Sequence, residues 1–299
     1  MNHQVRSVVR RIVRTPFVSG LKTLRPGLRS ARSAFETAEI EPAWLGDEWI
    51  AAYQRQYAPR TRYAYDIATL ARRGQERANE MMRWLPARMI HRTLEIGCWD
   101  GMVSAALQGL GKAAVGIDYR ATRFDERARR AGVKLLEMDA RDLRFGDGTF
   151  DLVFSYNSFE HFEQPEKVLC EAIRVLRPGG YLHIDFGPLY MSPLGAHLYR
   201  QITVPYCQLL FPKEALQHFA DDRRLGVLDF GGKVNGYTAE DFRNLWARHG
   251  DRLRAVKYYE MPNTSHVDLI QRHPTCFKSK TNLFDNLIVS QIVALFQKN

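Results

Sequence analysis

The sequence predicts an α/β fold in which helices cover both faces of a mostly parallel sheet. A short apolar strand pattern at residues 93–96 runs into two glycines, Gly97 and Gly101, and a helical pattern follows at once. Two further apolar runs, at 113–117 and 133–138, are each followed or closed by an aspartate. Strands that alternate with helices of this length form parallel sheets, because each connecting helix packs on a face of the sheet.

The first two strands predict a ligand that carries a ribose. A strand, a glycine turn and a helix form a backbone pocket for a small charged ligand at the helix N-terminus. Gly97 and Gly101 let the main chain approach the ligand where a Cβ would collide. Asp118 closes the second strand, about 20 residues past the turn, where a carboxylate accepts hydrogen bonds from a ribose diol.

The next two strands continue the alternation. The fourth predicted strand, at 150–156, leads into the segment Asn157-Ser158-Phe159-Glu160-His161-Phe162. A helical segment at 165–176 then connects it to a fifth strand at 181–186. We expect the carboxyl ends of these strands to share one edge of the sheet.

Beyond the fifth strand the alternation stops. Residues 188–236 contain scattered prolines and glycines and are too irregular for another strand–helix unit, so we expect an insertion at the ligand-binding edge of the sheet. A helix capped by Thr238, a sixth strand at 253–259 and a last strand at 286–296 complete the pattern. The sequence therefore predicts a Rossmann-like sheet of seven strands.

The motifs resemble, in order, those of class I S-adenosylmethionine-dependent methyltransferases over about residues 93–186. The segments that carry the resemblance are Leu94-Glu95-Ile96-Gly97-Cys98-Trp99-Asp100-Gly101, Gly116-Ile117-Asp118, Met138-Asp139-Ala140, Phe150-Asp151-Leu152-Val153, Glu160-His161 and Arg174-Val175-Leu176-Arg177-Pro178-Gly179-Gly180. One residue departs from the pattern, because Trp99 stands where the family usually has the middle glycine of its turn. The resemblance implies a methyltransferase that uses S-adenosylmethionine.

The resemblance also implies a cofactor site. Glu95 and the turn would line the methionine end of the cofactor, and Asp118 would hold the ribose hydroxyls. Asp139 and Ala140 would flank the adenine. The full set of expected cofactor contacts is Glu95, Gly97, Cys98, Trp99, Gly101, Asp118, Tyr119, Asp139, Ala140, Ser155 and Asn157.

Two histidines are candidate catalytic residues. His161 follows the fourth strand, at the edge where the methyl group should point, and a histidine of ordinary pKa accepts a hydroxyl proton at neutral pH. The alternative is that His161 and Glu160 only brace the next helix. His197 lies in the insertion as a second acid–base candidate. The expected substrate contacts are Tyr63, Tyr190, His197 and Tyr206.

The end of the fourth strand favours an oxygen acceptor. Ser155-Tyr156-Asn157-Ser158 lacks the Asn/Asp-Pro-Pro-aromatic turn with which amino methyltransferases hold a planar nitrogen, and it has no cysteine for covalent attack on cytosine. O-methylation of a hydroxyl is the remaining default. The stretch at 187–197, with 210–212, resembles bacterial methyltransferases of polysaccharide or glycolipid assembly, which implies a sugar or glycolipid acceptor.

Three alternatives stay open. The first is an RNA or ribosomal methyltransferase that grips phosphates with a basic N-terminus. The second is a nicotinamide-dependent oxidoreductase, which calls for a Gly-x-Gly-x-x-Gly turn instead of the spacing found here. The third is a non-catalytic scaffold that retains the fold, and Trp99 is the residue that raises it.

The N-terminal segment carries the basic character of the chain. The net charge is +10, and residues 1–35 hold eight basic and no acidic residues, so the remainder has 35 basic and 33 acidic residues and a net charge of +2. Apolar residues at helical spacing between arginines predict a basic amphipathic helix that can lie on an anionic membrane surface. A basic tail without a partner and a mitochondrial transit peptide are the alternatives. The nearly neutral body disfavours nucleic acid.

We expect three parts: a basic amphipathic tail at 1–36, an N-terminal helical lid at 37–90 and a methyltransferase domain at 91–299, in which 188–236 is the substrate-recognition insertion. No apolar run reaches the 18 residues of a membrane-spanning helix. The four cysteines include no Cys-x-x-Cys pair, so we expect no metal site and no disulfides. These features favour the cytoplasm, with peripheral contact at the inner face of the membrane if the tail binds lipid.

Overall fold

The computed structural model describes residues 26–57, 65–198, 200–229 and 234–299. The chain forms two compact units. The first contains the described residues of Met1–Thr61, Gly187–Ala247 and Tyr259–Ile292, and the second contains those of Arg62–Phe186, Arg248–Tyr258 and Val293–Asn299. Across the described ranges, we find no helix with the length and apolar character that crossing a membrane requires.

Seven strands form one sheet in the order β3-β2-β1-β4-β5-β7-β6. The strands are β1 (Arg92–Ile96), β2 (Ala113–Asp118), β3 (Lys134–Glu137), β4 (Phe150–Tyr156), β5 (Leu176–Phe186), β6 (Leu253–Pro262) and β7 (Val289–Lys298). The β1–β2, β1–β4, β2–β3 and β4–β5 pairs are parallel. The whole sheet is mostly parallel, with two antiparallel strands, which confirms the predicted fold class.

Helices connect the strands and build most of the first unit. In chain order they are α1 (Pro26–Thr37), α2 (Glu48–Gln56), α3 (Ile67–Arg83), α4 (Met102–Gly109), α5 (Glu126–Arg130), α6 (Pro165–Val175), α7 (Cys207–Leu210), α8 (Lys213–Asp222), α9 (Ala239–Arg248), α10 (Val267–Arg272), α11 (Pro274–Lys278) and α12 (Phe284–Ile288). Short 3₁₀ turns lie at Ala87–Met89 and Ala121–Arg123.

The central strands of the second unit are buried. Leu94 and Leu152, on the paired central strands β1 and β4, are fully buried, as expected of parallel strands covered by helices on both faces. Helices α3 and α4 approach each other closely at Gly74, where a Cβ would lie 2.5 Å from the carbonyl oxygen of Met102. Close packing here fixes α4, the helix that begins at the glycine turn.

The predicted domain boundaries need correction. The predicted end of the basic amphipathic tail, residue 36, falls within α1, which buries Leu28, Ala31 and Phe35, and the Phe35 ring lies edge-on to Phe284 at 5.7 Å. The predicted helical lid at 37–90 is divided between the units, since α2 belongs to the first unit and α3 to the second. The insertion belongs to the first unit. The amphipathic pattern itself falls mainly within residues 1–25, outside the described residues.

In the C-terminal third, the predicted helix cap at Thr238 is present, but the start of the last strand differs from the prediction. Thr238 and Asp241 cap α9 reciprocally: Thr238 Oγ1 accepts from the Asp241 amide at 3.1 Å, and Asp241 Oδ2 accepts from the Thr238 amide at 2.8 Å. The predicted strand at 286–296 instead starts as α12. The reason is Asn286, whose buried amide group bonds to Thr281 Oγ1 and to the backbone N–H of Glu240.

Burial of His183 predicts acid-dependent stability. The ring is 2% exposed on β5, 5.2 Å from Tyr156 and 5.6 Å from Trp84, and its Nδ1 has no hydrogen-bond partner within the described part of the chain. Burial lowers the pKa of His183 from 6.5 to about 3. Stability is therefore fully present above pH 6.5 and falls as the pH drops toward 3, because the unfolded chain binds a proton that the folded chain excludes.

We expect this group to remove about 1.4 kcal/mol from the free energy of unfolding per pH unit below 6.5. Urea unfolding of the protein and of His183→Leu at pH 7, 6 and 5 measures the slope, which should be shallower in the variant. His218→Leu, at an exposed histidine, should keep the slope of the unsubstituted protein. Equal slopes in all three proteins would rule out His183 as the source.

Candidate cofactor and active site

The turn between β1 and α4 has no room for a side chain at either end. Gly97 has a φ of +73° and Gly101 one of +77°, the left-handed region that favours glycine. A Cβ on Gly97 would lie 2.8 Å from Cβ of Ser158, and one on Gly101 would lie 2.8 Å from Cδ2 of Leu135. The two glycines therefore let the turn pack closely against the side chains of Ser158 and Leu135.

Hydrogen bonds hold this turn to β2 and to α4. The amides of Gly97 and Cys98 both donate to the carbonyl oxygen of Ile117 at 2.9 Å. Asp100 Oδ1 accepts from the Met102 amide at 2.8 Å, which caps the first turn of α4. Burial raises the pKa of Asp100 above its ordinary value. Hydrogen bonds within the protein thus fix the backbone conformation of the turn.

Glu95 and Cys98 lie beneath the turn and not on its surface. Glu95 is 3% exposed, and its Oε2 accepts from Ser104 Oγ at 2.6 Å and from the Ser104 amide at 3.1 Å. Burial raises the pKa of Glu95 to about 8, so the carboxyl holds its proton at neutral pH. Cys98 is also buried, and burial raises the pKa of its thiol. Both side chains are therefore buried under the turn, and neither is exposed at its surface.

Asp118 is oriented by two backbone amides. Its Oδ2 accepts from the Trp99 amide at 3.0 Å, and its Oδ1 accepts from the Arg120 amide at 3.2 Å. A carboxylate oxygen can accept more than one hydrogen bond, so both oxygens retain capacity for a pair of hydroxyl donors. This is the arrangement that a ribose diol requires.

The expected cofactor contact Tyr119 and the expected adenine contacts Asp139 and Ala140 are more open. Tyr119 is 61% exposed, and the guanidinium carbons of Arg120 and Arg123 lie 4.9 and 5.4 Å from its ring centroid. Asp139 bonds to the backbone and side chain of Arg141, and this pairing lowers the pKa of the carboxyl. Ala140, which follows it, is half-buried.

At the end of β4 the polar groups bond to the backbone of the sheet and the turn. Ser155 is buried, and its Oγ donates to the carbonyl oxygen of Ile96 at 2.8 Å. Asn157 has a φ of +48°, and its amide donates to the carbonyl oxygen of Asp185 at 2.8 Å. Ser158 Oγ lies 3.2 Å from the carbonyl oxygen of Gly97. Ser155 therefore joins β4 to β1 and does not present its hydroxyl to a ligand.

His161 and Glu160 share the turn that follows β4. The His161 side chain is 37% exposed, and its Nε2 lies 3.8 Å from Oε1 of Glu160, whose side chain is 1% exposed. The His161 amide donates to the carbonyl oxygen of Ser158 at 2.9 Å. An accessible imidazole backed by a buried carboxyl group suits both alternatives for His161, a base or a brace.

The expected substrate contacts in the first unit differ from one another. His197 has a φ of +55°, with Nε2 at 3.0 Å from the carbonyl oxygen of Pro188, and Tyr190 is half-buried. Tyr206 is fully buried, its hydroxyl donates to the Leu287 carbonyl at 3.0 Å, and its ring packs on Phe277. Tyr206 is therefore a packing residue, contrary to the expectation. Tyr63 lies outside the described residues.

Two serines that the sequence analysis did not single out complete the site. Ser104 holds Glu95, and Ser158 closes the turn at Gly97. Their local signals were weak: a serine in the first turn of the helix after the glycines, and a serine three residues beyond Ser155. A serine at either position could equally well be exposed to solvent, so the sequence does not show that its hydroxyl bonds to a buried oxygen.

Comparison with known proteins agrees with this geometry. A family model described as a methyltransferase domain matches residues 94–184. Residues 94–184 of this chain are thus similar to a methyltransferase domain. This match supports the expected enzyme class and cofactor, S-adenosylmethionine-dependent methyl transfer.

Three relatives of this methyltransferase domain have named activities. Over 108 residues the chain is 36% identical to the fatty-acid O-methyltransferase of Mycolicibacterium smegmatis, covering 34% of this chain and 39% of that protein. It is 29% identical over 182 residues to the demethylmenaquinone methyltransferase of Clavibacter sepedonicus, covering 56% and 73%. It is 32% identical over 138 residues to the 27-O-demethylrifamycin SV methyltransferase of Amycolatopsis mediterranei, covering 44% and 51%. The similarity thus spans only part of each protein.

The residues present fit S-adenosylmethionine. The turn at Gly97 and Gly101 has a left-handed backbone in which a Cβ would collide with Ser158 or Leu135, and Asp118 is held in place by backbone amides with acceptor capacity left. We therefore infer that the turn and Asp118 hold the aminoacyl and ribose parts of the cofactor. Glu95 is buried, and it supports the turn through its hydrogen bonds with Ser104 of α4.

If Asp118 holds the ribose, Asp118→Ala should weaken binding of S-adenosylmethionine by ~1–3 kcal/mol, because a charged hydrogen-bond acceptor is lost. Isothermal calorimetry measures the change, and thermal unfolding confirms that the variant is folded. Asp142→Ala, at an exposed aspartate of the same unit, should leave affinity unchanged. An Asp118→Ala protein that is folded and binds with full affinity would contradict the assignment.

Proposed function

We propose that this protein transfers the methyl group of S-adenosylmethionine to a hydroxyl oxygen of a small molecule. The observation that carries the proposal is the end of β4, where the hydroxyls of Ser155 and Ser158 bond to backbone carbonyls and an accessible His161 follows. Such a turn offers no planar clamp for an amide or base nitrogen. Two of the three relatives, the fatty-acid and rifamycin enzymes, have an oxygen acceptor in their names.

The chemistry needs alignment and a proton acceptor. When bound, S-adenosylmethionine supplies an electrophilic methyl carbon on a sulfonium. Gly97, Gly101 and Asp118 would bind and orient it, so that the acceptor oxygen forms its bond to carbon as the carbon–sulfur bond breaks. His161 would take the hydroxyl proton, and Glu160 would stabilise the resulting imidazolium from its buried side. The electron pair of the broken bond stays on the sulfur.

The acceptor we favour is a sugar or glycolipid hydroxyl. The support is the resemblance of residues 187–197 and 210–212 to methyltransferases of polysaccharide and glycolipid assembly. Tyr190 and His197 belong to this stretch and are the proposed acceptor contacts of the first unit. A basic amphipathic segment within residues 1–35 would keep such an enzyme at an anionic membrane, where lipid-linked acceptors are found.

An acceptor screen tests the proposal. The purified protein is incubated with S-adenosylmethionine labelled on the methyl group and with a glycolipid, a free sugar, a quinol, a fatty acid or RNA. We expect label on an oxygen of one of the small molecules and none on RNA. Label on RNA, or on a nitrogen or carbon of any acceptor, would refute the proposal. Binding of the cofactor without transfer to any class would favour the non-catalytic scaffold.

If His161 is the base, His161→Ala should lower turnover of the identified acceptor ~10²–10⁴-fold and leave the affinity for S-adenosylmethionine unchanged. Loss of a proton acceptor acts only on the reacting oxygen, so the two readouts should separate. His218→Ala serves as the matched control and should retain full turnover, because His218 is exposed on α8. Full turnover in His161→Ala would assign His161 to bracing the turn.

A further inference from the structure

Trp99, the residue that departs from the family pattern, has an unusual backbone and an unusual exposure. Its φ is +48°, a left-handed conformation that is strained for any residue with a Cβ. Its side chain is 44% exposed, so the indole is not there to fill the hydrophobic core. Strained residues persist where the surrounding structure holds them, and they cluster at functional sites.

The indole is held between two other side chains. The Tyr65 ring is stacked on it, with centroids 6.5 Å apart and an interplanar angle of 30°. The guanidinium carbon of Arg123 lies 3.8 Å from the Trp99 ring centroid, a favourable cation–π distance. The described residues contain no carboxylate in an ion pair with Arg123, so its charge faces the aromatic rings.

This stack joins three separate segments of the second unit, and one of them contacts Asp118. Tyr65 precedes α3, Trp99 lies at the middle of the glycine turn, and Arg123 ends the short turn after β2. Arg73 of α3 links Tyr65 to the turn. Its guanidinium carbon lies 5.9 Å from the centroid of the Tyr65 ring, and its Nη2 lies 3.6 Å from Asp100 Oδ2. The amide of Trp99 donates to Asp118 Oδ2 at 3.0 Å.

We propose that Trp99 is a positioning residue that sets the orientation of the Asp118 carboxylate for the ribose hydroxyls of the cofactor. The proposal rests on the cofactor site inferred above. A glycine at residue 99 would supply the same amide, but it would leave the turn free to sample other backbone conformations. The indole, held by Tyr65 and Arg123, removes that freedom. The conformational entropy of the turn is therefore lost when the protein folds and not when the cofactor binds.

The test compares S-adenosylhomocysteine with its 2′-deoxy analogue by calorimetry. The unsubstituted protein should prefer the hydroxylated ligand at least 10-fold, because the analogue leaves a carboxylate acceptor unpaired. In Trp99→Gly we expect this preference to fall to about 3-fold or less, since the carboxylate is no longer fixed. Trp99→Phe, which keeps a ring for Arg123, should restore most of it. Trp44→Gly, at a tryptophan of similar exposure in the first unit, should keep the full preference.

The possible outcomes separate the two proposals. If the unsubstituted protein binds neither ligand, the cofactor site itself is refuted. If it binds both and Trp99→Gly weakens both by the same factor, Trp99 only stabilises the turn and the present inference is overturned. Should Trp99→Gly fail to fold, Arg123→Met removes the clamp without changing the turn. An unaltered preference in folded Arg123→Met would then overturn the inference.

Discussion

The absence of space for a side chain at Gly97 and Gly101 is the constraint on which the second unit depends. Because the turn packs directly on Ser158 and Leu135, the ends of β4, β1 and β3 are brought to one edge of the sheet with little freedom between them. The Ile117 carbonyl accepts two amides of the same turn and so extends this rigidity to β2. A ligand at that edge meets a surface whose shape is fixed by backbone contacts.

Buried polar groups maintain that surface from beneath. Glu95 joins β1 to α4 through Ser104, and Ser155 joins β4 to β1 through the Ile96 carbonyl. In each case a buried oxygen is satisfied by a partner on another element, which makes the element positions interdependent. The edge of the sheet at which we place the cofactor is thus supported by buried hydrogen bonds between its own elements.

Local signals in the sequence were enough for most of the strands, the glycine turn, the position of Asp118 at the end of β2 and the Thr238 cap, because each depends on residues close together in the chain. Contacts between distant residues could not be predicted in the same way. The burial of Tyr206 depends on Leu287 and Phe277, and the helical start of the last strand depends on a hydrogen bond that the Glu240 amide donates to Asn286 Oδ1. The role of Trp99 escaped local interpretation because its partners, Tyr65 and Arg123, lie on separate segments.

Helix α1 changes where the chain can be cut. The predicted basic tail ends at residue 36, yet Arg32 binds Asp285 at 2.8 Å and Phe35 packs on Phe284, both far along the chain. A shortened protein that begins after residue 37 would lack α1, which packs on the core of the first unit. Phe277, Phe284 and their neighbours would then be exposed to water, and an exposed apolar surface of this kind promotes aggregation. Trimming for crystallisation or secretion should therefore stop before Pro26.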